Sequence, residues 1–509
     1  MKTYLGIELG STRIKAVLID TETLDTVATG AYSWKSELRG GIWTYDVNEA
    51  FVGIKSALSK IKELDTVAAV GVSGMMHGYL AFDENWNLLV PFRTWQNIMT
   101  ERAVGELSPL FDFNLPQRWS SAHLYEAVLR EEEHVSRVAH ITTLSSYIHY
   151  MLTGENVVGI GEASGIFPVD SETLQYDAAM LEKFNERLRA HGFTKRAEDV
   201  FPRVLVAGEC GGRLTERGRE LLGGGVPVGT PFAPPEGDAG TGMVATNSVA
   251  VKSGNISAGT SIFTMIVLER KLSRLYREIS MVTTPDGKPV AMVNSNNCTT
   301  DMNAWISVFK EMFALFGKEI PDEELYTKLY KCSLEGDGDC DGVLICNYLA
   351  GEVVGDFQRG VPMMLRRPDS KFNLSNFMRS QIYGAMVTIS IGMDIFKREG
   401  ALISRLIGHG GLFKTPGVAQ RYLAAACDTD IVCLETSGEG GPYGMALLAA
   451  YMIEKEGYSS LGEFLERRAF SNMRGETLSP TEEDKQGFSK YIEEYKKLLE
   501  LERRATQIY

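Results

Sequence analysis

Asp238 stands among glycines and prolines in Pro234-Pro235-Glu236-Gly237-Asp238-Ala239-Gly240-Thr241-Gly242, just ahead of a helix start read at Met243-Val244-Ala245. A carboxylate there could accept a proton from a substrate hydroxyl and help hold a divalent cation. The same residue reads equally as a helix N-cap, worth about 1 kcal/mol of stability. His77 lies in Ser73-Gly74-Met75-Met76-His77-Gly78, directly after an apolar run. Loops after strand C-termini in open α/β sheets carry ligand contacts. His77 could therefore bond a sugar hydroxyl or carbonyl, although taken alone a structural histidine is the plainer reading.

Two glycine turns of one build open the two halves of the chain. Leu5-Gly6-Ile7-Glu8-Leu9-Gly10-Ser11-Thr12 precedes Ala16-Val17-Leu18-Ile19, and Gly254-Asn255-Ile256-Ser257-Ala258-Gly259-Thr260-Ser261 precedes Thr264-Met265-Ile266-Val267. Each reads as strand, tight turn, strand, and offers N–H groups and small hydroxyls suited to a phosphate. The pair suggests a duplicated domain whose halves grip one polyphosphate. Gly410 and Gly411, after the strand Arg405-Leu406-Ile407, would let a flat ring or ribose approach the backbone. A plain strand-to-helix turn is the alternative there, and Thr436-Ser437-Gly438-Glu439-Gly440-Gly441 is open in the same way. There is no Walker A loop, no GxGxxG after the first strand, no nucleophile elbow and no HExxH.

The elements that must position these residues alternate along the chain. Asp46-Val47-Asn48-Glu49 predicts an N-cap and a helix to about Ile61. Val67 to Ser73 reads as a strand buried on both faces. Helices are expected over Leu144–Leu152 ending at Gly154, Asp301–Phe316, Ser375–Lys397, Ala419–Cys427 and Tyr443–Met452. A charged helix is expected over Thr481–Arg504, packed on the surface or on a partner. Interleaved strands and helices give an α/β class with two related lobes, and the boundary is expected near 245–250, giving domains 1–247 and 248–509.

At 509 residues the chain is too long for one core. Its net charge of −14 argues against a nucleic-acid or anionic membrane surface, yet leaves room for an anionic small ligand. The N-terminus shows no signal peptide and no apolar run approaches the ~20 residues of a membrane span, so a cytoplasmic protein is expected. Seven cysteines without framework spacing read as reduced, mostly buried thiols, with no metal site.

In order, these segments resemble the FGGY family of carbohydrate kinases, within the actin-like, ribonuclease-H-like ATPase superfamily, from Leu5 to about Tyr451. Gly6-Ile7-Glu8-Leu9-Gly10-Ser11-Thr12 with Lys15 is similar to the first phosphate motif. Met76-His77-Gly78 and Trp95-Gln96-Asn97 resemble the sugar contacts of xylulokinase-like members. Leu152-Thr153-Gly154-Glu155 and Glu162-Ala163-Ser164-Gly165 resemble the stretch before the sugar loop. Gly237-Asp238-Ala239 resembles the catalytic-aspartate motif and Gly259-Thr260-Ser261 the second phosphate motif. Tyr348-Leu349-Ala350-Gly351-Glu352 resembles the family's YLxGE, and Gly410-Gly411-Leu412 with Gln420 the adenosine motif. This chain departs from the family at Glu8, where Asp is usual, at Met75 for Gln, at Asn97 for Asp and at His123 near a Lys. The wording around Gly410 and Gly438 leans toward ketopentose kinases of the xylulokinase or L-ribulokinase kind.

The resemblance implies two ribonuclease-H-like lobes with an interdomain cleft and ATP-dependent phosphorylation of a sugar hydroxyl. It implies Asp238 as base on that hydroxyl, and Glu8 with Asp238 as holders of Mg2+. It implies phosphate binding by Gly10, Ser11, Thr12, Lys15, Gly259, Thr260 and Ser261. Gly410 and Gly411 would lie under the nucleotide, with His77, Asn97 and Asp238 on the sugar. The expected partners are a small sugar and ATP, with no nucleic acid or membrane, and the C-terminal helix could support a homodimer. The alternatives are a non-catalytic sugar- or nucleotide-sensing ATPase of the superfamily, or a kinase for another polyol or ketose.

Overall fold

The computed structural model describes every residue except Asp356, 435–439 and Tyr509. The chain forms two compact units. The first comprises Met1–Ala250, Ser280–Val290 and Thr436–Asn472; the second comprises Val251–Ile279, Ala291–Glu435 and Met473–Tyr509.

The first unit is built on a seven-stranded sheet. Its order runs Gly212–Arg213, Pro231–Phe232, Val67–Gly74, Thr3–Leu9, Arg13–Asp20, Thr26–Ser33, with Glu236–Gly237 also pairing Val67–Gly74. Thr3–Leu9 is antiparallel to Arg13–Asp20 and parallel to Val67–Gly74. Parallel strands are covered on both faces, and the near-continuous apolar sequence of Val67–Gly74 is almost wholly buried. Gly6 and Gly71 sit opposite each other in the sheet. A Cβ on Gly6 would overlap the Pro442 carbonyl, and one on Gly71 would overlap the Met445 side chain. These paired glycines form the groove that seats the small-residue helix Gly441–Glu454. The helix Val47–Leu58 begins where expected, with Asp46 accepting from Asn48 N at 2.9 Å. Leu144–Thr153 ends at Gly154, which adopts φ +82°.

The second unit repeats the core pattern. Five neighbouring strands of its sheet run Ile262–Val267, Ser253–Ala258, Arg405–His409, Asp430–Leu434, Gly475–Leu478. Ser253–Ala258 is antiparallel to Ile262–Val267 and parallel to Arg405–His409. Strand, turn, antiparallel strand and a parallel neighbour thus recur in both units, the topology expected of a duplication. The charged C-terminal helix Glu482–Ile508 docks on this unit by burying Phe488, Tyr491, Tyr495 and Leu498. Asp484 fixes its start, accepting from Arg421 Nε at 2.7 Å and pairing with Arg379 at 3.3 Å. Among the described residues no helix is long and apolar enough to cross a membrane.

Candidate active site

Asp238 is the first residue of the helix Asp238–Ala245, with Gly237 at the N-cap position and no side-chain cap bond. The N-cap reading of Asp238 is therefore replaced. The helix also begins before Met243, and Gly444 of the helix Gly441–Glu454 packs against it: a Cβ on Gly444 would overlap the Thr241 carbonyl. Asp238 Oδ1 accepts from Met76 N at 3.1 Å, which ties the carboxylate to the loop after Val67–Gly74. Burial raises its pKa, with the Met76 N–H pulling the other way.

Glu8 stands opposite Lys15 and Ser73 in the sheet register. Burial, then the charge of Asp238, push the Glu8 carboxyl up to about 7, while Lys15 opposes the shift. The start of the helix Gly441–Glu454 abuts the same carboxylate, since a Cβ at Gly441 would overlap Glu8 Oε1. Glu8 and Asp238 thus repel one another, with Lys15 the cation that offsets Glu8. Such a pair suits Mg2+, which takes one or two protein carboxylates and fills its shell with water and phosphate oxygens. Among the described residues no group of three or more His, Cys, Asp or Glu side chains is placed to hold a metal ion.

His77 occupies the left-handed region at φ +74°, followed by Gly78 at φ +102°. Strain of this kind in a non-glycine residue persists where the surroundings hold it, often at ligand-holding turns. Here Gly78 N donates to Arg118 O at 3.1 Å and Ser120 Oγ to Gly78 O at 2.5 Å. The ring stacks on Trp119 at 6.3 Å between centroids and faces Gly165, where a Cβ would lie 2.5 Å from Nδ1. Burial, followed by the charge of Arg118, holds the His77 pKa well below its ordinary value, so the ring is neutral. Asn97 is placed differently. Its Oδ1 accepts from Trp43 N at 2.9 Å, and Nδ2 donates to Trp43 O at 2.8 Å and Thr94 O at 3.1 Å. Both amide donors are therefore spent on the chain's own backbone.

Three residues of this region carried no assignment in the sequence. Glu236 is 2% exposed, and its two oxygens accept from Gly161 N at 3.2 Å and Glu162 N at 2.9 Å. Burial pushes its pKa up to about 8, against those two N–H groups. Glu162 is buried beside Gly237, and burial raises its pKa well above the ordinary carboxylate value. Arg118 makes no ion pair among the described residues, and burial lowers its pKa to about 10. The glycines at 159 and 161 were the available signal for Glu236, because a Cβ at either would collide with its carboxylate.

The two phosphate-type turns share one device: their carbonyls are tied back. In the first, Trp34 Nε1 donates to Gly10 O at 2.7 Å, Tyr45 OH to Ser11 O at 2.7 Å and Trp34 N to Thr12 O at 3.2 Å. In the second, Thr299 N and Oγ1 donate to Gly259 O at 3.1 and 2.8 Å, and Cys298 N to Thr260 O at 3.1 Å. Ser11, Thr12, Thr260 and Ser261 are exposed. The N–H groups of Gly10 and Gly259 are bonded within the turns, to Arg13 O at 3.0 Å and to Ser261 O at 2.8 Å, so the exposed residues Ser11, Thr12, Thr260 and Ser261 are the ones placed to face an anion. In the second unit Gly410 has φ +103° and a Cβ there would lie 2.5 Å from Ala258 O, so glycine is required; Gly411 faces open space. Of the stretch 436–441, residues 436–439 lie outside the described residues.

The chain is similar to known proteins along most of its length. Residues 3–244 match the N-terminal domain of the FGGY family of carbohydrate kinases and residues 254–453 its C-terminal domain. A xylulose kinase of Lactococcus lactis subsp. lactis (strain IL1403) is 22% identical over 471 residues, covering 89% of this chain and 88% of the relative. The solved structure of a ligand-bound xylulose kinase from Lactobacillus acidophilus superposes with a TM-score of 0.80 at 17% identity, covering 98% of each chain. A gluconate kinase structure from the same organism gives 0.81 at 16% identity, covering 99% of each. These likenesses show that the chain shares the α/β fold of those kinases, as the family resemblance implied. With both domain models matched in order, the chain belongs to the FGGY family of carbohydrate kinases, enzymes that use ATP to phosphorylate a sugar.

Proposed function

We propose that this kinase phosphorylates a hydroxyl of a ketopentose of the D-xylulose or L-ribulose type. The observation that carries the reading is the pairing of Asp238 with the His77 turn through Met76 N, together with similarity to a protein named xylulose kinase. Phosphoryl transfer passes through a loose transition state, so positioning and charge neutralisation supply most of the catalysis. Asp238 accepts the proton of the attacking hydroxyl, its basicity raised by burial. His77, neutral and stacked on Trp119, orients the sugar by hydrogen bonding rather than by charge. Asn97 shapes the sugar side through its hold on Trp43 and Thr94. Gly10, Ser11, Thr12, Lys15, Gly259, Thr260 and Ser261 serve the phosphates. Gly410 and Gly411 take the nucleotide. Glu8 and Asp238 would hold Mg2+, which when bound neutralises phosphate charge.

A sugar acid is the second reading, favoured by Arg118. Arg118 is half-buried and has no acidic partner among the described residues; withdrawing a cation from water without one is costly, and a carboxylated substrate would supply that partner. ADP release with D-xylulose, L-ribulose, D-ribulose, L-xylulose and gluconate tests both. A ketopentose should give the highest kcat/KM; gluconate leading the panel would transfer the assignment to the second reading, and ADP release indifferent to every sugar would overturn both.

A further inference from the structure

Glu236 lies two residues ahead of Asp238, in a position the mechanism above does not use. Its carboxylate is gripped by the backbone N–H groups of Gly161 and Glu162. The approach is tight on both sides. A Cβ on Gly161 would sit 2.5 Å from Oε2, one on Gly159 would overlap Oε1, and Gly159 N itself donates to Pro235 O at 2.7 Å. The strand holding Glu236 and the turn at 159–162 are thus locked together by three hydrogen bonds.

That turn leads directly to the sugar side. Ser164 Oγ donates to Gly161 O at 2.6 Å, and Thr283 holds both ends of the segment, with N bonded to Ser164 Oγ at 3.1 Å and Oγ1 to Ile160 O at 3.0 Å. Gly165 then backs the His77 ring, and Ile166 O accepts from Ser121 N at 3.1 Å, beside Trp119. From His77 the path returns through Met76 N to Asp238 Oδ1. Asp238 and His77 are therefore joined twice, directly at Met76 and around the ring Glu236–Gly161–Gly165–His77.

We propose that Glu236 is a positioning residue that clamps the Asp238 strand to the 159–165 turn and so sets the Asp238 carboxylate and the His77 ring in mutual register. The inference rests on the kinase reading only for its kinetic signature; the clamp itself is a property of the fold. A misplacement of about 1 Å at a reacting group costs on the order of 10²-fold in rate. Losing the clamp should therefore strike the chemical step and sugar binding while leaving ATP binding in the second unit untouched.

The experiment compares wild type, Glu236→Ala, Glu236→Gln and Gly161→Ala in the full-length protein. Glu236→Ala should lower kcat roughly 10²-fold, raise KM for the sugar, and leave KM for ATP within about twofold, a margin below one weak hydrogen bond. Gln keeps one acceptor but sets an amide N–H against the second donor, so it should restore part of the rate. Gly161→Ala displaces the carboxylate from the other side and should copy Glu236→Ala with Glu236 intact. Backbone hydrogen exchange provides a readout free of turnover: Glu236→Ala should speed exchange at residues 75–78 as well as at 160–165, with 254–258 unchanged. An unaltered rate at 75–78, or equal losses in the two KM values with no change in kcat, would overturn the proposal. A wild type that phosphorylates no sugar would instead fail the kinase reading, and the exchange result would still decide the clamp.

Discussion

The two glycine turns are alike in plan and unequal in chemistry. Both cap a hairpin beside a parallel strand, and both have their carbonyls bonded from behind. The first loop is longer: Leu9 pairs with Ile14 across it, whereas Ala258 pairs with Ile262 across the second. The residue before the last strand position is Glu8 in one and Ser257 in the other, and only Glu8 faces a second carboxylate. The equivalents on the parallel strand differ too, with Ser73 beside Glu8 and His409 beside Ser257. Duplication supplied two phosphate-type turns, and charge was kept at one. In the function proposed above, proton transfer, metal and sugar contacts fall to residues of the first unit, and Gly410 and Gly411 of the second take the nucleotide.

The largest effect that should separate the two units is at Asp238. Asp238→Asn keeps the shape, retains ATP binding by calorimetry, and should lose ~10²-fold or more in kcat, the usual contribution of a general base; turnover near wild type would remove Asp238 from that role. The matching lesion in the second unit is Gly410→Ala. Forcing a side chain at φ +103° costs about 1–3 kcal/mol, and KM for ATP should rise roughly tenfold with KM for sugar little changed. A loss confined to the sugar would reverse the division of labour.

A medium effect is expected at Glu8, and it depends on pH. Its folded pKa of about 7 lies above the ordinary 4.5, so its contribution to stability is fully present below pH 4.5 and is lost as pH rises through 7. In magnesium-free solution the wild type should lose about 3 kcal/mol of stability relative to Glu8→Gln between those limits. Denaturant melts at pH 4.5, 6 and 7.5 check this, and a constant difference between the two proteins would mean that Glu8 is not held by burial and Asp238. Ser257→Ala, at the equivalent place, should change neither the pH dependence nor the magnesium requirement. The smallest change is His77→Ala, which should raise KM for sugar about fivefold, the loss of one hydrogen bond, and leave KM for ATP alone. Equal shifts in both would return His77 to a purely structural role.

Local signals carried well from sequence to structure. The Asp46 cap, the buried run at Val67 and the Gly154 stop each depend on neighbours in the chain, and each stands within a few residues of its expected place. What remained hidden depends on residues far apart in the chain. Asp238 to Gly242 reads as loop by composition, yet it is helical, with Gly444 of the helix Gly441–Glu454 packed closely against Thr241 and Ala245. The same helix belongs to the first unit although its sequence lies near the far end of the chain. Asn97 matched a sugar-contact motif, but whether an amide is free depends on Trp43, some fifty residues earlier. Glu236 could not be distinguished from a solvated carboxylate until Gly159 and Gly161 were seen to enclose it.

The most direct trial of the account is sugar-dependent ADP release by wild type and Asp238→Asn across the ketopentose panel. At least one ketopentose should stimulate the wild type strongly, and Asp238→Asn should lose this stimulation while still binding ATP. ADP release unaffected by any sugar, or stimulation that survives in Asp238→Asn, would contradict it.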